Sequence, residues 1–131
     1  MVERYLLDTN ALIDYLAGTM PAKGLVFMDS IFDSGDIILS VITQIEVLAF
    51  QAPVAYLEKV QRLISVSKVI PLAEAMIINQ SIFIRRETRI KLPDAVIAAT
   101  ALSLNLTIVS RNVRDFSRIT GLAYIDPHKL T

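Results

Sequence analysis

The sequence predicts an α/β fold, a three-layer α/β/α arrangement around a central, mostly parallel sheet. Two observations predict it. Five short apolar runs, at residues 4–7, 37–40, 69–70, 107–109 and 122–125, alternate with longer segments of helical character. Within the runs, apolar residues follow one another directly instead of alternating with polar ones, as in strands covered on both faces.

Each element has a local reason. The first strand, residues 4–7, ends at Asp8. Asn10 is expected to cap a helix over residues 11–17, which Gly18 stops. Pro21 suits the first turn of a second helix reaching residue 32. Ser34-Gly35-Asp36 is a turn into the second strand, residues 37–40, and a helix over 42–51 follows. Pro53 opens a helix to residue 67, and residues 69–70 form a short strand. Pro71 is expected to open a long helix to residue 87. Leu92-Pro93-Asp94 starts an apolar helix to residue 104, and β-branched Thr107 to Val109 make the fourth strand. Asn112 caps a short helix to residue 119, Gly121 stops it, and residues 122–125 close the sheet. The expectation is one domain over residues 1–131. Right-handed crossovers place every strand-to-helix turn at one edge of the sheet, where open α/β sheets bind ligands.

Composition narrows the function. Hydrophobic residues make up 53% and charged residues 20%, which excludes a disordered chain. Cysteine is absent, so no disulfide, zinc–thiolate site or thiol nucleophile is possible. The single histidine, His128, excludes a mechanism built on paired histidines. The apolar stretch at residues 37–50 is interrupted by Ser40, Thr43, Gln44 and Glu46, short of a membrane span. The N-terminus has no basic start or small-residue cleavage site, so a soluble cytoplasmic protein with no membrane partner is expected. The formal net charge is zero but unevenly spread: residues 1–50 carry two basic and seven acidic residues, residues 51–131 eleven and six. Arg85, Arg86, Arg89 and Lys91 form one basic cluster, and Arg111, Arg114 and Arg118 a second. Either could hold phosphates, or simply solvate a helix face.

The acids carry the chemistry. Asp8, Glu46 and the pair Asn112/Asp115 all follow strands and fall at one sheet edge; Asp94 opens the apolar helix and must be brought there by packing. Each also fits a local role. Asp8 suits a turn, Thr43 to Glu46 matches a capping box, and Asp94 and Asp115 suit helix starts. Apolar neighbours, however, point to burial. Two unit charges ~4 Å apart repel by roughly 4 kcal/mol at an effective dielectric of 20. Clustered carboxylates therefore call for a neutralising cation, and a hard divalent ion is the natural one. With no thiol and no placed histidine, metal-activated water attacking a phosphodiester is the simplest chemistry.

Four segments then carry a resemblance. Leu6-Leu7-Asp8-Thr9-Asn10, Leu39-Ser40-Val41-Ile42-Thr43-Gln44-Ile45-Glu46, Leu92-Pro93-Asp94-Ala95-Val96-Ile97-Ala98-Ala99-Thr100-Ala101 and Val109-Ser110-Arg111-Asn112-Val113-Arg114-Asp115-Phe116 occur in order across nearly the whole chain. In these motifs the chain resembles the PIN-domain ribonucleases, most closely the VapC-like toxins of type II toxin–antitoxin pairs. The resemblance implies a PIN-like fold and Mg²⁺- or Mn²⁺-dependent endoribonuclease activity leaving 5′-phosphate and 3′-hydroxyl ends. By motif match, Asp8, Glu46 and Asp94 would be catalytic metal-binding carboxylates, with Asn10, Thr43 and Asn112 as supporting polar groups. Many PIN domains have an acid where this chain has Asn112, and Asp115 is the alternative fourth carboxylate. Arg85, Arg86, Arg89, Lys91, Arg111 and Arg114 are the RNA-binding candidates. The implied partners are an RNA substrate, a cognate antitoxin protein and a second copy in a homodimer. A stand-alone RNA-processing PIN nuclease fits equally the residues that suggest the toxin. A haloacid-dehalogenase-type phosphatase fits less well, because Asn10 replaces the second acid of its Asp-x-Asp motif. A non-catalytic PIN domain binding RNA or protein would have no use for acids facing phosphate.

Overall fold

Leu6 and Leu7 show how the layers arise. Successive strand side chains point to opposite faces, and these two neighbours belong to two different hydrophobic cores. The computed structural model describes residues 3–131. Its elements are β1 (Tyr5–Leu7), α1 (Thr9–Ala17), α2 (Ala22–Ser34), β2 (Ile38–Ser40), α3 (Val41–Ala49), α4 (Val54–Ser65), β3 (Lys68–Ile70), α5 (Ala75–Thr88), α6 (Leu92–Leu104), β4 (Thr107–Val109), α7 (Val113–Phe116) and β5 (Tyr124–Ile125).

The strands form one sheet in the order β3-β2-β1-β4-β5, and every pairing among the described residues is parallel. Leu6 faces Ile38 on one side and Ile108 on the other. One face packs Leu6, Ile38 and Ile108 against Ile77 and Ile84 of α5, Ala95, Ile97, Ala98, Ala99 and Ala101 of α6 and Phe116 of α7. The other packs Leu7, Leu39 and Val109 against Leu12 of α1, Met28 of α2, Val47 of α3 and Val60 of α4. The expected three-layer α/β fold is what the chain adopts, with a sheet that is parallel throughout these pairings.

The strand order creates the site. The chain builds outward from β1 through β2 to β3, then returns to place β4 on the other side of β1. The carboxyl ends of β1 and β4 therefore form a topological switch point, where adjacent crossovers diverge and leave a crevice. Asp8 follows β1 and Ser110 follows β4, so both stand at its mouth.

Several boundaries differ from expectation. The cap of α1 is Asp8, not Asn10: Asp8 is extended and its side chain accepts the Thr9 N–H, because only one residue separates strand from helix. Likewise α3 starts at Val41, directly after β2, with Ser40 Oγ accepting the Ile42 N–H. Pro71 leads a turn, and α5 begins four residues later, at Ala75. The helix capped by Asn112 is a single turn ending at Phe116, and β5 is two residues long.

Gly24 shows how the C-terminal segment docks. A Cβ there would stand 2.1 Å from the Pro127 carbonyl oxygen and 2.7 Å from the Met20 side chain. Alanine normally stabilises a helix interior by about 1 kcal/mol over glycine. Here overpacking is expected to win, so Gly24→Ala should lower stability by about 1–3 kcal/mol. Urea denaturation would show a lower midpoint at unchanged slope, whereas a raised midpoint would mean that the terminal segment yields.

Candidate active site

Asp8 lies at the centre of the site and is 3% exposed. Its Oδ1 accepts the Thr9 N–H at 2.8 Å. Its Oδ2 accepts Asn10 Nδ2 at 3.0 Å and Ser110 Oγ at 2.7 Å. Burial pushes its carboxyl up to about 6; the bonds from Ser110 and Thr9 oppose this, and the charges of Asp94 and Glu46 add to it. A carboxylate accepting several hydrogen bonds ordinarily stays acidic, so desolvation dominates here.

The supporting polar groups interlock. Asn10 Nδ2 also reaches Ser110 Oγ at 3.1 Å, and Asn10 Oδ1 accepts the Arg111 N–H at 3.2 Å. Ser110 Oγ in turn accepts the Asn112 N–H at 2.9 Å. The turns after β1 and β4 are thus tied together, which fixes the direction of the Asp8 carboxylate. Asn10 belongs to this network instead of capping the helix.

Glu46 is exposed and does not close a capping box. The Thr9 hydroxyl donates to Glu46 Oε1 at 2.6 Å and pairs with the hydroxyl of buried Thr43 at 3.1 Å. The helix carrying Glu46 is less buried than its sequence suggests, since Ile45 and Phe50 stand out into solvent. Asp94, in the first turn of α6, is half-buried. Its carboxyl is raised by burial first and then by the charges of Asp115 and Glu46, against the opposing pull of Lys91. Asp8, Thr9, Asn10, Glu46, Asp94 and Asn112 line one open cavity of about 630 Å³, together with Ile13, Phe50 and Arg111.

Asp115 stands one step back. Asn112 Nδ2 donates to Asp115 Oδ2 at 3.2 Å, and Arg118 Nη1 lies 3.8 Å from its Oδ1. Of the basic candidates, Arg111 lines the cavity and Lys91 is a charge neighbour of Asp94. Arg114 and Arg89 are exposed, and Arg89 ends α5 in the left-handed conformation. Arg85 and Arg86 line a different, apolar groove with Leu72, Ile82 and Leu92, and Arg85 Nη1 donates to the Ile90 carbonyl at 2.7 Å. Two residues escaped the sequence reading: Ser110 and Thr9. The signal for Ser110 was available, because it follows β4 as Asp8 follows β1.

The donor set fits a hard divalent ion. It consists of carboxylate and amide oxygens, one carboxylate being buried and destabilised by its like-charged neighbours. Among the described residues, no three acidic or histidine side chains converge into a ready-made ligand cage. Mg²⁺ needs none, since it keeps several waters and binds through one or two carboxylates plus substrate phosphate.

Comparison with known proteins agrees with this architecture. No curated protein matches the chain. The fold is similar to a chain of the DNA-bound VapBC of Salmonella typhimurium, at 25% identity and TM-score 0.78, covering 96% of this chain and 99% of that one. It is also similar to a chain of VapBC-1 of nontypeable Haemophilus influenzae, at 26% identity and TM-score 0.77, covering 95% and 98%. A chain of a toxin–antitoxin complex from Klebsiella pneumoniae is 27% identical with TM-score 0.70, covering 96% and 99%. The PIN domain model matches residues 5–122, from the first residue of β1 almost to β5 and across all the acids of the cavity, and the chain belongs to the PIN domain family.

Proposed function

We propose that this chain is a Mg²⁺- or Mn²⁺-dependent endoribonuclease and the toxin of a toxin–antitoxin pair. One observation carries the catalytic reading: a buried carboxylate, Asp8, sits at the β1/β4 switch point beside Asp94 and Glu46 in an open cavity. Such a group is unstable alone and well suited to a cation.

Asp8, Glu46 and Asp94 are the residues that would hold the ion. A divalent cation there supplies activation of water and neutralisation of phosphate charge. The chain's other groups do the positioning. Asn10, Ser110 and the Thr9 N–H fix the Asp8 carboxylate. The Thr9 hydroxyl, backed by Thr43, orients Glu46. Arg111 presents a guanidinium on the cavity wall, suited to a backbone phosphate. Phe50, half exposed at the rim, offers a ring on which a base can stack.

The toxin assignment rests on a similar chain described as part of a toxin–antitoxin complex, and on two described as VapBC and VapBC-1. The partners are then RNA, an antitoxin and a second copy of the chain, acting in the cytoplasm. Exposed Ile45 and Phe50, and Met76, Ile82 and Phe83 on α5, offer apolar surface for the protein partners. Ile31 of α2 and Val60 of α4 belong to the core and offer no such surface. No helix among the described residues is long and apolar enough to cross a membrane.

The test is cleavage of RNA by purified protein with Mg²⁺ or Mn²⁺ and with chelator, beside a small phosphate ester. RNA cleavage that needs the cation supports the reading; ester turnover without RNA cleavage points to a phosphatase. Within it, Asp115→Asn is expected to reduce activity less than Asp8→Asn or Asp94→Asn, because Asp115 is already engaged by Asn112 and Arg118. Equal or greater loss in matched assays would overturn that ranking.

A further inference from the structure

Arg111 has its back to a second charged cluster that the cavity does not share. Its Nε lies 3.3 Å from Asp14 Oδ2, and the Arg111 side chain is 57% exposed against 12% for Asp14. His128 Nε2 approaches the same Asp14 oxygen at 3.4 Å. His128 belongs to the C-terminal turn, where its backbone N–H donates to Asp126 Oδ1 at 2.9 Å and the Lys129 N–H to the Asp126 carbonyl at 3.1 Å. The residue before it, Pro127, is the one whose carbonyl presses on Gly24 of α2. The turn is therefore seated on the helical layer, with its ring aimed inward at Asp14.

Asp14 has no evident role in the fold alone. It is a buried carboxylate whose Oδ2 is closed to solvent and has no well-aligned hydrogen bond. A buried acid is retained at a cost unless a cation faces it. Here two groups face the same oxygen: Arg111 from the cavity wall and His128 from the C-terminal turn. The contact with Arg111 is an ion pair on the Nε side, not a directed hydrogen bond, and it leaves the two terminal nitrogens available as the donors that grip a phosphate in bidentate fashion. Tethering also removes rotamer entropy that binding would otherwise have to remove.

We propose that Asp14 and His128 are positioning residues that hold Arg111 as a preset phosphate-binding arm at the edge of the acidic cavity. The inference rests on the nuclease reading for its ligand, a phosphate of the RNA backbone flanking the bond to be cut. It makes the C-terminal turn part of the substrate site, although its polar contacts run to Asp14 and not to the carboxylates proposed to hold the ion.

The experiment is a kinetic cycle on an RNA substrate with Asp14→Asn, Arg111→Ala, the double variant, His128→Ala and His128→Gln. Asp14→Asn is expected to raise KM about tenfold and leave kcat within about twofold, the pattern of lost binding without lost chemistry. In the Arg111→Ala background it should change KM by less than about twofold, because its only route to substrate is gone. His128→Gln, whose amide nitrogen can occupy the place of Nε2, should restore KM relative to His128→Ala. Additive effects in the cycle, or a loss confined to kcat, would overturn the proposal. A wild-type protein that cleaves no RNA would remove the nuclease reading but leave the tether testable. The NMR order parameter of the Arg111 Nε–H vector should then be lower in Asp14→Asn and His128→Ala than in wild type, and equal values would overturn it.

Discussion

Asp94→Asn is expected to reduce RNA cleavage by about 10³-fold, the rate equivalent of the roughly 4 kcal/mol that one close charge contributes at an effective dielectric of 20. The substitution keeps the shape of the side chain and its place in the first turn of α6, whose following residues, Ala95 to Ala101, are buried. What it removes is a negative charge that burial and the neighbouring Asp115 and Glu46 already disfavour. Without metal, the variant should therefore be at least as stable as wild type, because a repulsion is relieved. Activity and metal-free stability should move in opposite directions, which separates loss of a cation ligand from loss of fold. Mn²⁺ titration should show weaker binding in the same variant. Cleavage within tenfold of wild type would remove Asp94 from the site.

The second large effect is on stability. Asp8 is raised from its ordinary carboxylate value to about 6 in the folded protein, with burial the main cause. Between about pH 4 and 6 the native state therefore binds more protons at Asp8 than the unfolded chain does, so stability falls as pH rises through this window. A shift of this size corresponds to about 3 kcal/mol lost by pH 7 in metal-free protein. A divalent cation binds the ionised carboxylate of the native state and should restore stability by mass action at neutral pH. Denaturation at pH 4.5 and pH 7.5, each with chelator and with excess Mg²⁺, checks both signs. Mg²⁺ should raise the midpoint strongly at pH 7.5 and little at pH 4.5, where Asp8 is protonated. A midpoint indifferent to Mg²⁺ at pH 7.5 would mean that the buried charge is not matched to a cation.

The layers were legible because burial on both faces leaves a plain mark: Leu6-Leu7, Ile38-Leu39 and Ile108-Val109 each supply one residue to each core. The acids were legible because Asp8 and Glu46 follow strands, and the switch point does the rest. The cap of α1 was misread because Asp8 and Asn10 have nearly equal capping preference. Only the direct passage from β1 into the helix, a tertiary matter, decides between them. The start of α5 was misread because proline fits a turn as well as a first helical turn. Thr9 carries no charge, so nothing in the sequence alone marks it off from ordinary turn residues, whereas Ser110 shares with Asp8 its place directly after a strand. The link from Asp14 to His128 spans almost the entire chain and depends on a backbone contact at Gly24, which no local pattern encodes. Arg85 and Arg86 look like a substrate patch in sequence; in the fold they line an apolar groove with Leu92 and Val96 of α6.

The most direct test of the central claim is a map of new 5′ ends in total bacterial RNA incubated with purified protein and Mg²⁺. Parallel samples hold chelator or the Asp94→Asn variant. The account predicts discrete new 5′-phosphate ends that need the cation and vanish in the variant. New ends that persist in chelator or with the variant, or a folded protein that produces none, would contradict it.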